Sequence, residues 1–347
     1  WSDWLSFGKW GTHIKRSSKS PDSHLAKIST DEFIIKGSYT DTASKIQIRA
    51  LLHTENTNVT PSIRQFIISY KDNTPRLKSI EIPSNKIIDV PSYSQYIRDK
   101  NIGGVICSPT SITMLLNRRN ENLIVEETAW SCFDYDYEAF GNWLFNVAFA
   151  SSLGYESFVE YGNLKSLKRE IYSEYPVAVS VKYTNDINNL EYPYIENAPI
   201  TTAGNILVVR GFEKKDGIDY VVVNDPAGKS NESVTRRYKL SEFESAWHRG
   251  SNIMYIIHDK EVEINNNRIE ASLELKNNKE NLYSVLVNDT YLDLSSDFVK
   301  TILITYDNGL TFEYLVPYNN HYLALENKNK CVIYIIGSDG FTYVCNC

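Results

Sequence analysis

One cysteine stands where a helix has to begin, and this placement constrains the fold more than any other feature. Two glycines precede Cys107, and Pro109 follows it at the start of an apolar run. Proline is tolerated in a helix only in the first turn, where no backbone donor is needed. Cys107 is therefore predicted at a helix N-terminus, where unpaired N–H groups favour a thiolate and lower the thiol pKa. The alternative is a buried structural cysteine.

Composition and charge exclude several classes of protein. The chain has 347 residues, of which 42% are hydrophobic and 23% charged, so two or three domains with a large core are expected. The formal net charge is −7 and no lysine or arginine block occurs, which argues against nucleic acid as the main partner. No apolar run approaches the roughly 18 residues that span a membrane, so no transmembrane segment is expected.

The remaining cysteines lie mostly near the C-terminus. Five cysteines are too few for a disulfide scaffold. Cys331, Cys345 and Cys347 either pair or stay reduced, and the sequence leaves both possibilities open. No zinc-type spacing with histidine occurs, so neither a metal nor another cofactor is expected.

The middle of the chain, residues 79–260, changes from helical to strand patterning at Pro176. Before Pro176, apolar runs at 141–150 and 164–171 predict helices. After Pro176, β-rich runs predict strands at 177–181, 206–209, 220–223 and 253–257. Helices followed by strands are typical of an α+β domain.

Both flanking regions are predicted to be all-β. Residues 1–78 carry strand-like runs at 44–49 and 63–70, and are expected to form a β-sandwich-like accessory domain. Residues 261–347 consist of apolar runs joined by tight-turn signals such as 338–340, and are expected to form a β-rich accessory domain.

Five separated segments of the middle domain carry a family resemblance, and they occur in the family's order. The segments are Cys107-Ser108-Pro109-Thr110-Ser111, Gly141-Asn142-Trp143, Val208-Val209-Arg210-Gly211-Phe212, Val223-Asn224-Asp225-Pro226-Ala227 and Ala246-Trp247. In them the chain resembles the bacterial papain-like cysteine peptidases of family C39, the bacteriocin-leader-processing type, and their secreted relatives. The resemblance implies a papain-like cysteine peptidase domain between N- and C-terminal β domains.

The resemblance implies a role for four positions of this chain. Cys107 matches the nucleophile, Gln95 the glutamine of the oxyanion hole, and Asp225 the acid that orients the histidine. The histidine itself should follow Gly204, where this chain has Asn205. An asparagine amide cannot accept a proton at neutral pH, so Asn205 cannot act as the general base.

Asn205 leaves two explanations and two functions open. Either a catalytic histidine was replaced to trap an inactive form, or the protein is a natural pseudoenzyme. Of the histidines in the middle domain, His248 follows the last motif, where the family has no base, and is expected at the surface; the other is His258. The chain is then a thiol hydrolase of peptides or cell-wall peptides that lacks its base. Alternatively, it is a non-catalytic peptide- or cell-wall-binding protein that keeps the cleft.

A location outside the cytoplasm is also expected. Two β accessory domains, an acidic net charge and a first residue other than methionine suggest secretion, or attachment to the surface of a bacterium. An extended peptide or a cell-wall peptide is the expected partner.

Overall fold

The structure is a computed structural model, and it describes residues 1–38, 43–71, 85–264, 266, 268–326 and 331–347. Five α-helices occur in these ranges: α1 (Cys107–Asn117), α2 (Val125–Cys132), α3 (Trp143–Ser152), α4 (Leu164–Tyr172) and α5 (Leu240–Arg249). Single 3₁₀ turns occur at Gln95–Ile97, Gly103–Val105 and Asn231–Ser233. None of the described helices has the length and apolarity required to cross a bilayer.

Strands account for most of the remaining regular structure. Before α4 they are β1 (Gly8–Lys9), β2 (Ser17–Ser18), β3 (Ala26–Ser29), β4 (Glu32–Ile35), β5 (Lys86–Ile87) and β6 (Tyr155–Tyr161). The central region continues with β7 (Val177–Tyr183), β8 (Thr202–Lys215), β9 (Ile218–Asn224), β10 (Thr235–Lys239) and β11 (Ile253–Lys260). The C-terminal strands are β12 (Ile269–Asn277), β13 (Leu282–Val287), β14 (Thr290–Tyr291), β15 (Val299–Thr305), β16 (Glu313–Tyr314), β17 (Leu323–Ala324), β18 (Val332–Gly337) and β19 (Thr342–Asn346).

The central region is α+β, as predicted. Its antiparallel sheet has the strand order β10-β9-β8-β7-β11-β6, with β5 paired to β8. Helix α1 is buried on every side from its second to its tenth residue, and Ile112, Met114 and Leu116 lie in the core between this sheet and the neighbouring helices. Strands β8 and β9 pair as a hairpin, and its turn residues Asp216 and Gly217 have φ of 52° and 79°, as a tight two-residue turn requires.

The helix predictions hold in this region, although some elements were missed. Helix α1 begins at Cys107, as Pro109 predicts. Helices α3 and α4 and strands β7, β8, β9 and β11 occupy the predicted segments. Helices α2 and α5 and strands β6 and β10 were not predicted. Helix α5 did carry a signal, because its buried residues Leu240, Phe243 and Trp247 recur at helical spacing.

The predictions for the N-terminal strands at 44–49 and 63–70 are wrong, since the stretch 43–71 contains neither helix nor strand. Segment 63–70 lies beside the edge strand β6 but contacts it through side chains. Gln65 Nε2 donates to Glu156 at 2.9 Å, and the backbone N–H of Tyr161 donates to Ser69 Oγ at 2.8 Å. A β-rich pattern predicts an extended chain, whereas a strand also requires a backbone ladder with a neighbour.

The rest of the N-terminal region contains two small two-stranded sheets, β1–β2 and β3–β4. The β-sandwich-like domain predicted for 1–78 stays a prediction, and residues 39–42 and 72–78 lie outside the described ranges. The domain boundaries at 78 and 260 likewise stay predictions.

The C-terminal region is a single sheet of eight strands, ordered β14-β13-β12-β19-β18-β15-β16 with β17 beside β13. Its core includes Val285, Ile333 and Ile335. The open question about the cysteines is answered here, because Cys331 and Cys347 form a disulfide and Cys345 is a buried free thiol. The predicted turn at 338–340 joins β18 to β19, with Gly340 at φ 87°.

Two buried or partly buried side chains, those of Arg16 and Asp31, help to fasten the N-terminal region to the rest of the protein. The buried Arg16 donates to the backbone carbonyls of Trp130, at 2.7 Å, and Asp339, at 3.0 Å. In the β3–β4 hairpin, Asp31 Oδ2 accepts the backbone N–H of Trp143 at 2.7 Å. This N–H is one of the unpaired donors at the start of α3, where the helix dipole favours a carboxylate.

Asp31 should make stability depend on pH. Burial raises the pKa of its carboxyl from 3.8 to about 7, although the Trp143 N–H opposes this. Because the folded-state pKa is the higher one, its contribution is full below 3.8 and is lost as the pH rises through about 7. We expect the free energy of unfolding to fall over this interval relative to that of Asp31→Asn. Urea unfolding at several pH values measures it, with Asp297→Asn, an exposed carboxyl, as control. If plots of unfolding free energy against pH were parallel for the wild type and Asp31→Asn, the prediction would be contradicted.

Candidate active site

Side-chain hydrogen bonds from three residues near its N-terminus fix the start of helix α1. Ser108 Oγ pairs with Tyr255 Oη at 2.9 Å, and Ser111 Oγ donates to the carbonyl of Ile206 at 2.9 Å. Thr110 Oγ1 donates to the carbonyl of Ile106, the residue just before the helix, at 2.7 Å. The sheet strands β8 and β11 therefore determine where Cys107 lies.

The environment of Cys107 raises its thiol pKa instead of lowering it. The side chain is half-buried, and burial is the main cause of the rise, with a further contribution from the negative charge of Asp225. The backbone N–H groups of Ile206 and Ser108 contact the sulfur and oppose this rise without cancelling it. The predicted lowering of the pKa is therefore wrong for this chain. Desolvation outweighs the backbone N–H groups at the helix terminus.

Asn205 and Asp225 are directly hydrogen-bonded. Asn205 lies on β8, Asp225 directly follows β9, and both side chains are buried. Asn205 Nδ2 donates to Asp225 Oδ1 at 3.0 Å. Ile206, the next residue along β8, presents its backbone N–H to the Cys107 sulfur. Two successive residues of β8 therefore interact with the acid and with the thiol, respectively.

Two buried tyrosines complete the surroundings of Asp225. Tyr183 Oη and Tyr238 Oη donate to Asp225 Oδ2 at 2.7 and 2.8 Å. Tyr183 Oη also accepts a hydrogen bond from Asn205 Nδ2 at 3.2 Å. Burial and the charge of Asp225 raise the pKa values of both tyrosines well above 10.0, so both hydroxyls remain donors at neutral pH. Asp225 Oδ1 additionally accepts the backbone N–H of Ala227 at 3.0 Å.

The loop after β9 also holds the segment that carries Gln95. The carbonyl of Pro226 accepts the backbone N–H of Gln95 at 2.9 Å. The amide of Asn224 donates to the carbonyl of Pro91 at 3.0 Å. One short stretch of chain therefore supplies the acid and fixes the segment in which Gln95 lies.

Gln95 is buried, and its Oε1 atom finds no hydrogen-bond partner among the described residues. A buried amide oxygen without a partner costs free energy. Burial, and then the charges of Cys107 and Asp225, raise the pKa of the neighbouring Tyr96. The Gln95 segment, the thiol and the acid therefore lie within electrostatic reach of one another.

The structure thus gathers the segments of the four predicted site residues in one place, while their catalytic roles stay predictions. Neither histidine of the middle domain takes the base position. His248 is exposed on α5 and its Nδ1 pairs with Asn252 at 3.1 Å. His258 is bonded through both ring nitrogens, to Glu156 and Glu170, each at 2.8 Å.

Tyr183 and Tyr238 were missed in the sequence analysis. Tyr183 is the last residue of β7 and Tyr238 lies within β10, where single tyrosines look like ordinary strand residues. The available signal was weak, because Tyr183 lies just beyond the predicted strand 177–181 and Tyr238 lies in β10, which was not predicted. In the described part of the chain, no group of three or more His, Cys, Asp or Glu side chains is placed to hold a metal ion.

Comparison with known proteins bears on the central region. Residues 87–254 match the model of the Peptidase_C39 like family, so the resemblance is confirmed there. A double glycine motif protease from an AMS/PCAT transporter, in complex with the leader peptide, is 17% identical over 49% of this chain and 92% of its own, with a TM-score of 0.33. A protein described as a C39-like peptidase from Bacillus anthracis is 17% identical over 51% of this chain and 100% of its own, with a TM-score of 0.38. Procathepsin L 3 of Tenebrio molitor is 13% identical over 50% of this chain and 67% of its own, with a TM-score of 0.35. A search of curated proteins gives no match.

The raised thiol pKa should appear in the chemistry of Cys107. Only the thiolate reacts with iodoacetamide, so labelling should be slow at neutral pH and should still accelerate above pH 9.0, the ordinary thiol value. Mass spectrometry of the peptide containing Cys107 measures the rate, and Cys107→Ser is the control for the other thiols. A rate that levels off below pH 9.0 would show that the helix terminus dominates after all.

Proposed function

We propose that this site is built to hydrolyse peptide amides with Cys107 as nucleophile, because residues 87–254 match the model of the Peptidase_C39 like family. Asn205 deprives it of the general base, so the chain as it stands has little or no hydrolytic activity. The observation that carries the proposal is the hydrogen bond of 3.0 Å from Asn205 Nδ2 to Asp225 Oδ1. An imidazole N–H at the same position would form the same bond to the same acid.

The proposed reaction begins when the Cys107 sulfur adds to the carbonyl carbon of the scissile amide. The carbonyl oxygen becomes an oxyanion, and the side-chain amide of Gln95 donates to it. Collapse of this intermediate breaks the C–N bond, and the leaving amine requires a proton. A histidine at position 205 would take the proton from the thiol and deliver it to that amine. The Asn205 amide can do neither.

The thioester then requires water, which the same base would activate. Attack of water on the thioester carbonyl forms a second oxyanion, and its collapse releases the carboxylic acid and returns the proton to Cys107. Both halves of the reaction therefore depend on one proton carrier. The raised pKa of the Cys107 thiol agrees with this dependence, because without an imidazolium nearby burial keeps the sulfur protonated.

A non-catalytic protein that binds peptides or cell-wall peptides is the second candidate. The contacts around Asp225 do not favour it, because a binding cleft has no need of an acid oriented by four hydrogen-bond donors. We retain the peptide or cell-wall peptide as the proposed substrate class.

We also propose that the regions on either side are all-β accessory domains, and that the protein acts outside the cytoplasm or at the cell surface. The eight-stranded C-terminal sheet and its disulfide, Cys331–Cys347, support this, because structural disulfides persist in oxidising compartments. Cell fractionation with an antibody is the test, and a purely cytoplasmic signal would refute the location.

Asn205→His should restore the nucleophile. Losing one member of a nucleophile–base pair can cost about a millionfold in turnover. Supplying the missing base by a single substitution can therefore raise turnover by a large factor. We expect Asn205→His to move the pH profile of iodoacetamide labelling at Cys107 to clearly lower pH, because an imidazolium stabilises the thiolate.

Two matched variants make this experiment specific. Asn205→Gln keeps an amide at the position and should leave the labelling profile unchanged. Asn205→His with Asp225→Asn should lose part of the gain, because the new ring is no longer oriented by a charged acceptor. Coincident profiles for the parent chain and Asn205→His would show that residue 205 does not act on Cys107.

Gln95 should matter for turnover and not for binding. In the Asn205→His background, Gln95→Ala should lower kcat by about 100- to 1,000-fold, the usual cost of one oxyanion donor, with KM nearly unchanged. Hydrolysis of internally quenched peptide amides measures both constants. A loss confined to KM would mean that Gln95 contacts the substrate and not the oxyanion.

A further inference from the structure

The C-terminal sheet contacts the central domain at the loop that carries the oxyanion glutamine. We propose that Thr301 and Tyr314 of this sheet are positioning residues, which hold the loop from Gln95 to Cys107 in its working geometry. This inference rests on the oxyanion role proposed above for Gln95. It gives the C-terminal sheet a part in the proposed reaction, although none of its residues touches the reacting atoms.

The first contact is made by Thr301, on β15. Its Oγ1 donates to Asp99 Oδ2 at 2.7 Å, and both side chains are buried. The other oxygen, Asp99 Oδ1, accepts the backbone N–H of Asn101 at 2.9 Å. Burying a carboxylate costs considerably more free energy when it loses a hydrogen-bond donor. The Thr301 hydroxyl therefore fixes where the Asp99 carboxylate lies.

The second contact is made by Tyr314, on the neighbouring strand β16. Its hydroxyl donates to Glu126 Oε1, which also accepts the backbone N–H of Asp99 at 3.1 Å. Glu126 is 1% exposed, and its second oxygen, Oε2, has no hydrogen-bond partner within the described ranges. The Tyr314 hydroxyl and the Asp99 N–H are therefore the donors that pair the Glu126 carboxylate. By holding this carboxylate, Tyr314 also fixes the group to which the Asp99 N–H donates.

Asp99 in turn determines the shape of the loop. Its carbonyl accepts the backbone N–H groups of Ile102 at 3.0 Å and Gly103 at 2.7 Å. Gly103 lies so close to the carbonyl of Gln95 that an added Cβ would come within 2.8 Å of that oxygen. A shift of Asp99 is therefore transmitted across this tight turn to the backbone of Gln95.

Further contacts near Thr301 and Tyr314 hold the C-terminal sheet firmly against the central domain. Ile124, Leu303 and Ile336 form a buried apolar cluster between the helix α2 end of the central domain and the C-terminal sheet. Arg268 Nη2 donates to Glu127 Oε2 at 2.8 Å beside this cluster. Both strands that carry the positioning hydroxyls pair here, with Leu303 opposite Tyr314. The sheet and the loop are thus expected to move together.

The experiment removes each hydroxyl with little change in shape. Thr301→Val and Tyr314→Phe are made in the Asn205→His background, with Thr342→Val as matched control. Thr342 is 2% exposed in the same sheet, and its Oγ1 has no partner among the described residues. Hydrogen exchange of the amides of 99–106 reports the geometry of the loop without needing activity, and hydrolysis of internally quenched peptide amides reports its consequence.

We expect both variants, but not Thr342→Val, to speed exchange at Ile102 and Gly103 about fivefold to tenfold, the effect of losing one hydrogen bond. They should also lower kcat about tenfold with KM little changed, because small misplacements of a catalytic group are costly. Unchanged exchange, or faster exchange with unchanged kcat, overturns the inference. If Asn205→His itself hydrolyses nothing, the proposed function fails by that result, and exchange at Ile102 and Gly103 alone then decides whether the sheet holds the loop.

Discussion

A negative charge buried inside a protein has to be surrounded by donors, and the carboxylate of Asp225 imposes this requirement on half of the central sheet. Its donors come from neighbouring strands: Tyr183 from β7, Asn205 from β8 and Tyr238 from β10, while Asp225 itself follows β9. These are four adjacent strands of the antiparallel sheet. The strand order and the register are therefore coupled to the electrostatics of one side chain, because a slip of one residue would turn a donor away.

Features of the site that depend on neighbouring residues in the sequence could be predicted. Features that depend on how distant segments pack together could not. Pro109 fixes a helix start by sterics alone, so the position of Cys107 on α1 follows from three or four residues. The thiol pKa depends on how deeply the sulfur is buried and on the charge of Asp225, and neither is visible in a local pattern. The same distinction applies to segment 63–70, whose extended chain was predictable but whose missing backbone partner was not.

On the function proposed above, the asparagine at position 205 would keep the acid satisfied without the base that the acid would orient. The Asn205 amide supplies one of the N–H groups that Asp225 accepts, so the buried charge is paired. The thiol would lack the cation that favours its ionised form. Folding and chemistry would thus depend on residue 205 in different ways.

Arg16 also determines the order in which the protein can assemble. Its guanidinium bonds to the carbonyl of Asp339, 323 residues away, and to that of Trp130, 114 residues away. Contacts this distant in sequence close only after the intervening chain has become compact, because loop-closure entropy opposes them. The bond from Arg16 to Asp339 therefore forms only after the β18–β19 turn, which carries Asp339, has been made. A side chain near one end of this sequence thus reaches its final environment only when the other end has folded.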